Sequence, residues 1–441
     1  MENRKVIPII AVHAGAGFHS KEKEGLYKQV CSQACRKAME LLRNGATAED
    51  SVAMAIQILE DSPLTNAGVG SNLTLTGTVE CDASLMEGSS LTFGAVGAIS
   101  GVRNPILVAK KLVACQREGN LSLGRIPPCF LVGEGAQSWA QTQGIPVTSK
   151  SDLTTESTLQ TYNNHKRRVE AADFRRSMKR TKYMTKGNNH IPENALSASG
   201  DGPKGQTDFF DVLESFQGNT RERDVNDKQN LSNVNDNKDE DTRKFCTNQD
   251  QCPNIQSSGT GACMKKLSDQ SVQDTVGAVC VDCNGNMASG VSSGGISLKQ
   301  PGRIGSATMF GAGCWASNPT GPSDVGVAVA TTGTGEHLMR TLLAKECAEV
   351  LQTAEWPEQG LTDLMKNKFL GSRMLECYSE KYGGFLALSV QRQSTDLHWS
   401  HSTKSMCVCV MKQGHAAKSL ITRLGSNEID GKTFVLHGHK L

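Results

Sequence analysis

The sequence predicts an α+β protein with antiparallel sheets covered by helices, on two observations. Strand-like runs cluster with strand-like runs and helical runs with helical runs in both halves of the chain, an order unlike repeated βαβ units. Glycine is abundant, 44 of 441 residues, while aromatic residues make up 5%. Many glycines with few rings favour tight turns and close backbone packing over bulky layers. At 37% hydrophobic and 21% charged, the chain has room for one large core or two smaller ones.

Residues 5–12 form an apolar run that reads as a buried strand. Residues 24–43 carry apolar positions at helical spacing and stop at Asn44-Gly45. Thr47, with Asp50 three residues on, opens a second helix as a near capping box, and Pro63 closes it. "TLTGTVECDASLMEG" and "TFGAVGAIS" read as strands with glycine turns. Asn104-Pro105 starts a helix that runs to about Glu118, with Pro at its first position. Beyond residue 151 the character changes. Residues 161–186 are highly charged, and 219–253 hold too few apolar groups to offset the cost of ordering, which predicts disorder. Order resumes near Asp274. "TVGAVCVDCNGNMASGVSS" sets Asn-Gly between apolar runs, a hairpin signal. "DVGVAVATTG", "GFLALSVQ" and "MCVCVMK" read as further strands, residues 335–351 as a helix, and another helix follows Gly360. The division expected is 1–150, a flexible basic and acidic insert over 151–274, and 275–441.

Net charge is +2, so the chain as a whole is no electrostatic trap for nucleic acid. No apolar run approaches the ~20 residues of a membrane span, and the first residues lack the pattern of a signal peptide. These features predict no membrane partner, and reduced thiols for the fifteen cysteines, in nucleus and cytoplasm. Cys280 and Cys283 form a C-x-x-C without a second pair, and read as strand and turn thiols. His398, His401, His437 and His439 show no metal spacing, and neither phosphate-loop motif is present, so no metal and no cofactor is expected. Residues 66–72 fit a backbone-carbonyl site for a monovalent cation or plain glycine turns equally well.

The chemistry lies at Asp274-Thr275, where the polar stretch meets an apolar strand. If the chain is cut there, Thr275 gains a free α-amine, whose reference pKa of ~7.7–8.0 leaves a working fraction neutral near pH 7. That amine can take the proton of its own hydroxyl, with no histidine. On this basis His13 and His337 read as structural. The same hydroxyl can make the cut by attacking the Asp274 carbonyl. Three downstream features fit. "GVSSGG" puts Ser293 on the return strand of the hairpin, within reach of Thr275. "KQPGRIG" sets Arg303 among glycines, a planar donor for a carboxylate. "ATTGTGE" puts Thr332 and Gly333 at a strand end, a hydroxyl and an amide suited to an oxyanion.

"DTVGAV", "SSGG", "GRIG" and "TGTGE" in this order, preceded by "VHAGAG", "NAGVGSNLTLTGTVECDASLMEG", "GAVGAI" and "NPILVAKKL", resemble the type-2 asparaginase family of N-terminal nucleophile hydrolases. The resemblance implies a four-layer αββα sandwich and a precursor that cuts itself into two subunits that stay together, usually as a dimer of such pairs. It implies Thr275 as nucleophile, Ser293 as its supporting hydroxyl, Arg303 as the carboxylate-binding residue, and Thr332 with Gly333 as the oxyanion hole. The long insert, "GTGACMKKLSDQSVQDTVGAV" and "GAGCWA" look most like its threonine aspartase branch, which cuts proteins after Asp. The residue after "GRIG" agrees: asparaginases carry Asp there to bind a free amine, and this chain has Ser306. The expected partners are proteins with an internal Asp. Within the insert, Lys166, Arg167, Arg168, Arg175, Arg176, Lys179 and Arg180 resemble a two-part nuclear import signal, which implies an import receptor as partner. Two other readings stand beside this one. One is an asparaginase or isoaspartyl dipeptidase on the same scaffold; the other is a non-enzymatic nuclear protein that binds nucleic acid through the basic segment.

Overall fold

The computed structural model describes residues 6–186, 275–321, 324–391 and 394–441. In chain order the strands are β1 (Ile9–Gly17), β2 (Cys81–Glu87), β3 (Thr92–Ile99), β4 (Phe130–Val132), β5 (Val276–Val281), β6 (Met287–Ser293), β7 (Cys314–Ser317), β8 (Gly326–Gly333), β9 (Gly383–Val390), β10 (Thr395–His401), β11 (Ser405–Lys412), β12 (Lys418–Arg423) and β13 (Val435–Lys440). The helices are α1 (Glu24–Arg43), α2 (Ala48–Glu60), α3 (Pro105–Arg117), α4 (Gly133–Thr142), α5 (Glu156–Lys186), α6 (Gly335–Thr341), α7 (Leu343–Thr353) and α8 (Pro357–Asp363). The strands build an eight-stranded sheet, order β12-β11-β1-β5-β6-β2-β3-β4, and a five-stranded sheet, order β13-β10-β9-β8-β7. Residues 1–178 and 265–441 form one unit by their contacts, so both halves share a core; 179–264 form another, of which only the end of α5 is described.

The central strands are buried on both faces, which is why they read as apolar runs although every ladder except the parallel β3–β4 edge is antiparallel. On β1, Ile9 and Ala11 pack between the sheets, while Ile10 and Val12 pack under the helices. On β8, Ala328 and Ala330 face the other sheet, while Val327 and Val329 face the outer helices. Met39, Val52, Ile56 and Ile106 of α1, α2 and α3 cover the large sheet. Leu338, Leu343 and Leu351 of α6 and α7 cover the small one. The result is an αββα sandwich, as the resemblance implies.

Local chemistry sets the element ends. Thr47 caps α2: its hydroxyl accepts from the Asp50 amide at 3.1 Å and donates to the Asp50 carboxylate at 2.8 Å. Some boundaries differ from expectation. β1 starts at Ile9, after Pro8, which has no N–H for a ladder, and runs on into "HAGAG" through a register shift between His13 and Ala16. The helix expected over 335–351 is broken at Leu342, a left-handed residue at φ 47°, into α6 and α7. Helix α5 runs through much of the charged segment to Lys186; residues 219–253 lie outside the described residues.

Gly94 on β3 lets α3 approach the sheet closely. A Cβ there lies 2.3 Å from the Ala109 carbonyl oxygen and 3.0 Å from the Leu112 Cβ. Because the obstacle is helix backbone, Gly94→Ala is expected to cost about 1–3 kcal/mol. Urea unfolding checks it: the midpoint falls while the slope stays unchanged.

Candidate active site

The β5–β6 hairpin aligns the first elements of the site. Its turn is held by Asp282, whose Oδ1 accepts from the amides of Asn284 and Asn286 at 2.9 and 3.0 Å, and Gly285 supplies a φ of 84°. The resulting register sets Val276 against Ser292. Thr275 and Ser293 therefore lie side by side, and the Thr275 hydroxyl donates to the Ser293 hydroxyl at 3.2 Å. Ser293 Oγ also accepts from the Gly295 amide at 3.0 Å. Both side chains are buried, at 3% and 5% exposure. Asp274 itself lies outside the described residues.

A pocket opens at this point. It is lined by Thr275, Ser293, Gly295, Arg303, Ser306 and Gly333, among others. Thr332, the residue before Gly333, is not itself among the lining residues. It is fully buried, and its Oγ1 accepts from the Ala16 amide at 2.9 Å. That leaves its hydroxyl proton free to point elsewhere. Gly333 has φ 138°, and a Cβ there falls 2.6 Å from the Tyr382 carbonyl oxygen, so the position admits only glycine.

Arg303 has a partner that the sequence reasoning missed. Its Nε and Nη2 donate to the two oxygens of Glu336 at 3.0 and 2.6 Å. The bidentate pair holds the Glu336 carboxyl below its ordinary pKa against the burial that opposes this. Glu336 thus occupies one edge of the guanidinium. The other edge, Nη1, lies 3.0 Å from where a Cβ of either Gly295 or Gly305 would stand. Because both glycines line the pocket, this is the edge that faces it. The signal for Glu336 was present: it is the last residue of "TGTGE".

Residues 66–72 brace the turn after Ser293. The Asn66 and Asn72 side chains both donate to the Gly295 carbonyl at 2.8 Å, and the Gly294 amide donates to the Asn66 carbonyl at 2.7 Å. Among the described residues no cluster of His, Cys, Asp or Glu suits a metal ion. On α5, Lys166, Arg167, Arg175 and Arg176 are exposed and Arg168 is half-buried. The side chains of Lys179 and Arg180 are outside the described set.

His13 is fully buried, with Nδ1 accepting from the Gly15 amide at 3.4 Å. Its ring stands against Gly277, where a Cβ would lie 2.3 Å from Nε2. Burial lowers its pKa to about 3, with the nearby Thr275 backbone opposing weakly. His337 accepts from the Tyr382 amide through Nδ1 at 3.0 Å. Neither ring bonds to Thr275 through its hydroxyl.

A threonine immediately ahead of strand β5, a second hydroxyl beside it and a glycine amide in the same pocket fit the arrangement of an N-terminal nucleophile hydrolase. Comparison with known proteins places the chain within that class. The profile of the type-2 asparaginase family, described as "Asparaginase", matches residues 6–196 and 213–421, and the chain belongs to this family. It is 29% identical over 367 residues to the isoaspartyl peptidase/L-asparaginase of Mus musculus, covering 82% of this chain and 79% of that one. It is 30% identical over 349 residues to the isoaspartyl peptidase of Salmonella typhimurium, covering 78% and 79%. The human isoaspartyl peptidase/L-asparaginase is 29% identical over 339 residues, covering 77% and 75%.

The His13 shift has a sign that unfolding can read. The native state holds this ring neutral, whereas the unfolded chain protonates it below pH ~6.5. Its contribution is therefore intact above pH ~6.5 and is lost progressively as pH falls from there toward 3. At pH 5 wild type should lose about 2 kcal/mol relative to His13→Gln, compared with pH 7.5. Parallel urea titrations at the two pH values measure it, and equal losses in both proteins would refute the assignment.

Proposed function

We propose that this protein is a self-activating threonine endopeptidase of the threonine aspartase (taspase) type. The precursor cuts itself between Asp274 and Thr275, and the mature enzyme cleaves protein substrates after an internal Asp. In the first step Thr275 Oγ1 adds to the Asp274 carbonyl carbon. The Asp274–Thr275 C–N bond breaks as its nitrogen takes up a proton, and an ester joins the two pieces. Water hydrolyses the ester, leaving the Asp274 carboxylate and a free Thr275 amine.

In the mature form that amine takes the Thr275 hydroxyl proton, with Ser293 holding the oxygen in place. The oxygen attacks the substrate carbonyl, whose developing charge faces the Gly333 amide and the Thr332 hydroxyl. The ammonium returns its proton to the leaving amine. Water, deprotonated by the same amine, then releases the acyl group. Throughout, the substrate Asp carboxylate sits on the open edge of Arg303.

Ser306 carries the choice of substrate. It lines the pocket at 3% exposure, where asparaginases carry the Asp that binds a free α-amine. Without that carboxylate a cationic amine loses a charge-assisted hydrogen bond, a cost of about 1.5–3 kcal/mol, whereas a peptide nitrogen is neutral and loses nothing. The exposed Lys and Arg side chains of α5 support recognition by an import receptor and action on nuclear proteins. Assembly as a dimer of subunit pairs belongs to the same proposal. The relatives' names support a second reading, in which the substrates are β-aspartyl dipeptides or L-asparagine.

A substrate panel separates the readings. Purified protein should run as two pieces on a denaturing gel, the smaller beginning with Thr275, and Thr275→Val should leave one intact chain. The mature enzyme should cut an internal-Asp peptide faster than it turns over L-asparagine or a β-aspartyl dipeptide; the reverse order selects the second reading. Ser306→Asp should raise kcat/KM for L-asparagine about tenfold or more, since one charged contact is worth that much. An unchanged value would remove Ser306 from the selectivity argument.

A further inference from the structure

Arg303 stands on a turn whose two ends are gripped by side chains from a different strand. The Gly302 amide donates to Glu80 Oε2 at 2.8 Å, and the Gly305 amide donates to Asp82 Oδ2 at 2.6 Å. Asp82 is the second residue of β2 and Glu80 immediately precedes the strand, so the two acids reach the turn from positions two residues apart. The spacing matches a turn whose captured amides are three residues apart. Asp82 is fully buried and is the cross-strand partner of Ser293. Asp82 therefore stands beside the residue whose hydroxyl meets Thr275, and its carboxylate holds Gly305, which lines the pocket.

The surrounding atoms account for a buried and a half-buried acid at this place. Asp82 Oδ1 accepts from the Ala98 amide at 2.9 Å, a residue held at φ 48°. The buried Lys299 donates from Nζ to the Glu80 carbonyl at 2.5 Å and lies near Asp82. Lys299 Nζ also falls 3.2 Å from the position of a Gly295 Cβ, the same point that Arg303 Nη1 approaches to 3.0 Å. Burial raises the pKa of Asp82, while Lys299, the two amides and Arg303 favour its charged form.

From this arrangement we infer that Glu80 and Asp82 form a carboxylate clamp that positions Arg303 for the substrate carboxylate. Glu336 fixes the orientation of the guanidinium, and the clamp fixes where its backbone stands relative to Thr275. Neither acid touches the substrate. They are positioning residues, and their loss changes how tightly a carboxylate binds rather than how fast the bound substrate reacts. The inference rests on the proposed role of Arg303 and holds for either substrate class, since both present a carboxylate.

The test uses Glu80→Gln and Asp82→Asn in the self-processed enzyme, with active sites counted by N-terminal sequencing. Glu80→Gln keeps an acceptor oxygen without the charge. Asp82→Asn turns an NH2 toward one of two buried amides. Each variant should raise KM about tenfold for whichever of the three substrates wild type turns over, with kcat within about twofold. Weakened stability alone lowers the active fraction and leaves KM unmoved, so the split identifies positioning. Succinate affinity for the self-processed enzyme, measured by calorimetry with and without each clamp substitution, should fall by a similar factor. Wild-type KM and succinate affinity in folded variants overturn the clamp, as does a fall in kcat at constant KM. If Asp82→Asn does not fold, Glu80→Gln decides alone. Should wild type turn over no member of the panel yet bind succinate in a clamp-dependent way, the clamp stands and the proposed reaction falls; failure to bind succinate at all overturns both.

Discussion

The register of the β5–β6 hairpin is the constraint on which the site depends. With Val276 facing Ser292, the hydroxyls of Thr275 and Ser293 meet at 3.2 Å. Strand side chains alternate faces, so a slip of one residue would send Ser293 toward the helical layer and bring Ser292 to the nucleophile's side. Such a slip is resisted by both faces at once. Val279 and Val281 are packed between the sheets while Ala278 and Cys280 are packed under the helices, and exchanging these sets disrupts two cores. The Asp282 turn fixes the loop length that sets the register. Packing far from the pocket thus determines a distance inside it.

The charged groups obey a second constraint. A side chain as buried as Arg303 is tolerated only with its donors satisfied, and Glu336 satisfies two of them bidentately. Asp82, Glu80 and Lys299 are likewise spent on amides and a carbonyl. Glycines at 295, 305 and 335 surround the guanidinium, and a Cβ at any of them would stand within 3.0 Å of one of its nitrogens. Charge and backbone are arranged together. Three of the chain's 44 glycines thus stand where a cation and the backbone around it must approach closely.

Much of this was legible in the sequence. The span of α1, the Thr47 cap and the Asn-Gly hairpin each rest on local chemistry that a short window contains. Of the site, Thr275, Ser293, Arg303, Ser306 and Gly333 come together at one pocket. The rest was hidden because it depends on distance in the chain. Glu80 and Asp82 are more than 200 positions from the turn they hold, and nothing in "VECDASLMEG" marks its acids as more than strand residues. The break at Leu342 has no glycine or proline to announce it. Tertiary packing of two short helices on one sheet imposes it against local preference. β13 alternates too weakly to stand out, and only its pairing with β10 makes it a strand.

The strand order also shows how the fold would hold together if the chain were broken before Thr275, as the proposed self-cleavage requires. β5, which follows Thr275, lies in the interior of the eight-stranded sheet, paired with β1 on one side and β6 on the other. Numbered by the piece each strand would belong to after a break before Thr275, the sheet alternates: β12 and β11 from the second, β1 from the first, β5 and β6 from the second, and β2, β3 and β4 from the first. Three ladders, β11 with β1, β1 with β5 and β6 with β2, then join the pieces. Separating them would expose those strand edges together with the shared cores on both faces of the sheet. On the proposed self-cleavage, breaking the bond before Thr275 would therefore free an amine while these ladders keep the two pieces together. The β5–β6 hairpin can occupy the middle of the sheet after such a break because its outer edges pair with β1 and β2, both from the other piece.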